Sequence, residues 1–116
     1  MDVIDWQALR DNCAGDDALV GEIVELFRRE APGLLADVER AVGTKEPLAI
    51  KRTAHRLKGA LVSLAAPQAS MLARDLEQAG TENDLSRVGA LGAALAHEMT
   101  RLLAALEQSP PLAATG

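Results

Sequence analysis

The chain has 116 residues, 48% of them apolar, a formal charge of −5, one cysteine, and only Trp6 and Phe27 as aromatics. That length fits one domain around one core, and the acidic balance argues against a general nucleic-acid binder. Cys13 is alone, which excludes an intrachain disulfide and any cysteine-based zinc site.

Leu- and Ala-rich composition with few β-branched runs favours helices throughout. Residues 5–12 read as a short first helix, with Asp5 as N-cap, Trp6 and Leu9 facing inward, and Gly15 breaking it. Asp16 or Asp17 then caps a long helix carrying Val20, Ile23, Val24, Phe27, Ala31, Leu34, Leu35 and Val38 at helical spacing; Pro32 should kink or split it, and Gly43 should end it. A third helix opens near Pro47 and stops before Pro67, which opens a fourth with Ala69, Leu72, Leu76 and Ala79 as its inward stripe, closed by Gly80. Asp84 or Ser86 caps a last helix with a seam of Val88, Leu91, Leu95, Met99, Leu102 and Leu106, ended by Pro110-Pro111.

Four amphipathic helices with short connections predict an all-α fold: an antiparallel four-helix bundle over residues 1–109, the short N-terminal helix covering one end, and a flexible tail at 110–116. No apolar run reaches the ~18 residues of a membrane span, and Met1-Asp2 begins without a basic n-region followed by an apolar stretch. The expectation is a cytoplasmic monomer, with Met1 and the short tail suiting a small complete protein.

The third helix draws attention to one side chain. Ile50, Ala54, Leu57, Leu61 and Leu64 repeat at intervals of 4, 3, 4 and 3, a single apolar stripe. At about 100° per residue, His55 lies roughly 140° from the centre of that stripe and faces water. Lys51 is one turn before it and Gly59 one turn after, with Lys58 beside it. A mid-helix glycine costs about 0.5–1 kcal/mol relative to alanine, so an exposed one suggests that something must approach closely. Residues 45–58 carry Lys45, Lys51, Arg52, Arg56 and Lys58 against Glu46 alone, a local charge of +4, while seven bases and sixteen acids elsewhere leave −9.

A neutral imidazole is a nucleophile near neutral pH, because free histidine titrates at about 6.5. Flanking cations would offset the charge of a phosphoryl group attached to it, and phosphoryl transfer depends mostly on in-line positioning and charge stabilisation. Position 59, without a side chain, leaves room for a partner's carboxylate and metal to reach His55. His97, the other histidine, reads as an idle surface residue, and two histidines on separate helices without a clear carboxylate set argue against a metal site.

His55-Arg56-Leu57-Lys58-Gly59 matches the His-x-Leu-Lys-Gly signature, and the chain resembles histidine-containing phosphotransfer (HPt) domains of bacterial phosphorelays. Asp5 to Asn12 resembles the family's leading helix, and Gly15-Asp16-Asp17 followed by Glu25-Leu26-Phe27-Arg28-Arg29-Glu30-Ala31-Pro32 its long second helix. Ser63-Leu64-Ala65-Ala66 resembles the Asn-Leu-Gly-Ala turn, and Leu76-Glu77 the Leu-Glu ending; Ala60 stands where Ser is common and Ala65 where Gly is usual.

The resemblance implies that His55 takes a phosphoryl group from a receiver-domain aspartate and passes it to another response-regulator receiver, with a hybrid histidine kinase upstream. It implies that Lys58 steadies the phosphoryl group, that Gly59 allows close approach, and that Glu77 holds the imidazole Nδ1 and leaves Nε2 free. The protein would need no cofactor of its own, magnesium being expected only in the partner receiver. Lys51, Arg52 and Arg56, with Leu48 and Val62 on the His55 side by helical geometry, would form the docking surface. Two other readings share these residues: an HPt-like module that docks receivers or kinases without carrying phosphate, and a small enzyme using His55 as general base. The second lacks a serine or cysteine nucleophile in a recognisable motif.

Overall fold

A computed structural model describes residues 3–107, which form five helices and, among the described residues, no strand. They are α1 (Trp6–Asn12), α2 (Asp17–Thr44), α3 (Pro47–Ser63), α4 (Pro67–Thr81) and α5 (Val88–Glu107). The proposed tail and the Pro110-Pro111 stop lie outside the described residues. α3 packs between α2 and α4, and α5 packs on α4 and back on α2, so the four long helices close a ring around one core. α1 packs on α2, and the Asp5 N–H donates to the Ala65 carbonyl at 2.8 Å, tying the chain's first turn to the α3–α4 connection.

The stripes read from the sequence form the interior. Ile50, Ala54, Leu57, Leu61 and Leu64 of the α3 face are all fully buried, as are Leu76, Leu95, Met99 and Leu102. Each such leucine contributes about 1.5–3 kcal/mol by leaving water. Cys13 is a buried free thiol, Phe27 is in the core, and Trp6 is half-buried against it. Asp5 accepts a hydrogen bond from the Ala8 N–H at 3.0 Å and Asp16 one from the Leu19 N–H at 3.2 Å, so Asp16 rather than Asp17 caps α2.

Three helix ends differ from the sequence expectation, those of α2, α4 and the start of α5, while α3 stops before Pro67 as expected. α2 runs through Gly43 and ends at Thr44, with Lys45 in the left-handed region at φ 57° as its cap. α3 ends at Ser63, and Ala65 takes the same conformation at φ 61°. In both cases the left-handed residue stands two before a proline, and the residue between is extended: Glu46 at ψ 108° and Ala66 at ψ 89°. Proline excludes the helical region for its predecessor, so Pro47 and Pro67 fix where the chain reverses, whatever residue falls at the turn. Pro32 does not split α2: the helix is continuous across it, with Pro32 on the exposed side.

α4 does not close at Gly80, which is buried inside the helix; Thr81 is its last residue, and Asn83 at φ 56° makes the turn. At α5, Asp84 accepts from the Ser86 hydroxyl at 2.6 Å and its N–H at 3.3 Å in the connection ahead of the helix, which begins at Val88; among the described residues neither side chain bonds an N–H of α5.

Candidate functional site

The buried stripe fixes the rotation of α3, and with it what the other face presents. His55, Lys51, Arg52, Arg56, Gly59, Leu48 and Val62 are all exposed, with Leu48 at 54% and Val62 at 57%. Lys51, Arg52, Arg56, His55 and Glu77 line one solvent-open cavity of about 480 Å³. A Cβ added at Gly59 would meet nothing within 4 Å, so the surface there is open.

α4 supplies what a single helix could not. His55 Nδ1 lies 2.9 Å from Glu77 Oε2, and Lys58 Nζ lies 2.7 Å from Glu77 Oε1. The Glu77 side chain is only 18% exposed while that of His55 is 67% exposed: the carboxylate sits beneath the ring, wedged between α3 and α4. Oε1 is cut off from solvent, and the Lys58 ammonium at ion-pair distance is the charge that offsets it.

Burial alone would raise the Glu77 pKa. The hydrogen bonds from Lys58 and His55, together with their charges, outweigh it and hold the carboxyl below its ordinary value. Glu77 is therefore ionised at neutral pH, and an ionised carboxylate only accepts hydrogen bonds. Nδ1 must carry the proton and donate it to Oε2. In the neutral ring Nε2 then holds the lone pair, and among the described residues it makes no hydrogen bond. The geometry yields an imidazole oriented at Nδ1 by a partly buried anion, on a ring that is itself exposed.

His97 is exposed on α5, away from these groups, and among the described residues no set of three or more His, Cys, Asp or Glu side chains is placed to hold a metal ion. The neighbour of His97, Glu98, is the one buried charged residue among those described, 5% exposed with Oε1 accepting from Arg101 at 3.0 Å. Glu98 stands three residues after Leu95 and four before Leu102, so the spacing that marks the seam could have found it.

The Hpt domain family model matches residues 22–109, most of the chain, and the protein belongs to this family. Its general role is therefore phosphotransfer in two-component signalling, where Hpt domains are phosphocarriers rather than true enzymes and interact with receiver domains and histidine kinases. The match leaves out α1 and the first turn of α2. Comparison with curated proteins gave no match, and neither did comparison with solved structures. Among the described residues, no helix is long and apolar enough to cross a membrane.

Proposed function

We propose that His55 is the phosphoryl-carrying residue of a phosphorelay. Its Nε2 lone pair attacks the phosphorus of an aspartyl phosphate on a receiver domain. The P–N bond forms as the acyl P–O bond breaks and the aspartate leaves as carboxylate. A second receiver's aspartate then reverses the exchange, taking the phosphoryl group and returning the ring to its free state. The observation that supports this reading best is the Glu77 carboxylate on Nδ1 of an otherwise exposed ring. It fixes the tautomer with Nε2 basic, and it stabilises the positive ring that forms as phosphorus adds.

Lys58 acts in this scheme by holding Glu77 against the ring. The positive field that offsets the phosphoryl charge comes from Lys51, Arg52 and Arg56 around the cavity. Leu48 and Val62 give the partner an apolar rim, and Gly59 leaves it room to approach. Magnesium belongs to the receiver. The short connections between packed neighbours fit an antiparallel four-helix bundle. The protein acts as a cytoplasmic monomer between a hybrid kinase and a response regulator.

The test uses receiver domains of the host, phosphorylated by their kinase with radiolabelled ATP. Wild-type protein should take an acid-labile, alkali-stable label and give it up to a second receiver. His55→Gln should take none while melting within a few degrees of wild type. A wild type that binds receivers but is never labelled would leave a docking module only, and label on His55→Gln would move the chemistry elsewhere.

A further inference from the structure

Glu77 reaches His55 only if α3 and α4 lie close together, and no periodicity along either helix requires that they do. The reason is at Gly80. It is buried one turn after Glu77, and its Cα faces the backbone of α3 rather than a side chain. A Cβ built there would stand 2.8 Å from Lys51 N, 2.8 Å from Pro47 O and 3.2 Å from Lys51 Cα. Lys51 is one turn before His55. Gly80 on Lys51 and Glu77 on His55 are therefore successive contacts along the same helix pair, a turn apart on each helix.

Resting on the relay reading of His55, we propose that Gly80 is a positioning residue: its missing side chain sets the α3–α4 spacing that lets Glu77 hold the His55 imidazole. The neighbours are main-chain atoms in the first turn of α3, which no rotamer change can move. Relief to an ordinary contact of about 3.4 Å requires the helices to part by about 0.6 Å. Carried one turn along, that takes the 2.9 Å His55–Glu77 contact to about 3.5 Å, where a hydrogen bond ceases to hold. The 2.7 Å contact from Lys58 lengthens with it. Gly59 and Gly80 thus do opposite jobs: one clears the outer face of α3 for a partner, the other brings the carboxylate up beneath the ring.

The experiment is ¹⁵N NMR of the histidine rings in the unphosphorylated protein, with labelling by a phosphorylated receiver measured in parallel. Wild type should show the Nδ1–H tautomer at His55. Gly80→Ala should lose that preference and take label about 10- to 100-fold more slowly, the scale expected of a sub-ångström to 1 Å misplacement. Gly92→Ala is the control, a methyl placed 3.4 Å from Val42 between α5 and α2; it should change neither readout. A folded Gly80→Ala with wild-type ring spectra overturns the proposal. Should Gly80→Ala fail to fold, Glu77→Asp decides, because it withdraws the carboxylate by one methylene at unchanged packing. Retention of the wild-type tautomer there shows slack in the reach and overturns the claim that helix spacing sets the bond. The ring spectra need no phosphate: a wild type with the Nδ1–H tautomer that takes no label refutes the relay and not the positioning.

Discussion

A double-mutant cycle on Lys58 and Glu77 measures how firmly the carboxylate beneath His55 is held. The two groups approach to 2.7 Å, with 28% and 18% of their side chains exposed. Coulomb attraction at that distance is about 6 kcal/mol at an effective dielectric of 20 and about 1.5 kcal/mol in water. Desolvation of both groups and the rotamer entropy of lysine oppose it, and partial exposure screens it, which leaves a net coupling of about 1–2 kcal/mol. Lys58→Met keeps the aliphatic stem but strands a buried carboxylate oxygen, and should cost about 1.5–3 kcal/mol in urea unfolding at pH 7. Adding Glu77→Gln to that variant should recover part of the loss, since the amide carries no charge to strand. Strictly additive single effects, with coupling below about 0.3 kcal/mol, would show that the ammonium merely rests on the surface and that Glu77 is held by something else.

Three other outcomes follow from the same structure. Between wild type and Glu77→Gln, the stability that the carboxylate supplies should be present above pH 4.5 and disappear as pH falls through the lowered folded value. A folded pKa below the unfolded one gives that sign, and an advantage of the carboxylate that grows on acidification would refute the assignment. Ala65→Gly relieves a left-handed alanine and should raise stability by about 0.5–1 kcal/mol, while Gly15→Ala, at φ 76°, should lower it by a similar amount; thermal midpoints moving the other way would refute the strain argument. Gly59→Gln should raise the melting temperature, because helix propensity improves by about 0.3–0.8 kcal/mol in open space, and yet slow transfer from a receiver; unchanged transfer would remove the close-approach role of that glycine.

What can be read from the chain is whatever a single helix decides. The outward direction of His55 follows from five apolar residues at 3- and 4-residue intervals, and all five are buried. Interhelical register is not legible. Gly80 reads as a helix stop because glycine usually is one, whereas its use here depends on which backbone lies opposite, and that is a property of the α3–α4 pair. The same limit applies to Glu77: the family resemblance suggests its contact with the ring, while its ion pair with Lys58 requires the two helices in place. The turns mislead in another way. Glycine at position 43 looks like the stop, but the prolines at 47 and 67 govern the reversals and force Lys45 and Ala65 into a conformation neither prefers. Glu98 stands at the edge of the α5 seam, where spacing indicates burial but an acid is ordinarily assigned to solvent until its contact with Arg101 is seen.

The two faces of α3 share no side chain: 50, 54, 57 and 61 serve the interior, while 48, 51, 52, 55, 56, 59 and 62 look outward. If that outer face docks the partner, as proposed, recognition can be rewritten without renegotiating the architecture. A library randomised at Leu48, Arg52, Arg56 and Val62 should yield many folded members with altered partner preference, which makes this helix a natural place for a signalling pathway to diverge after duplication. Lys51 is the exception, since its main chain is the floor on which Gly80 rests, and there a new proline would change wiring and framework together.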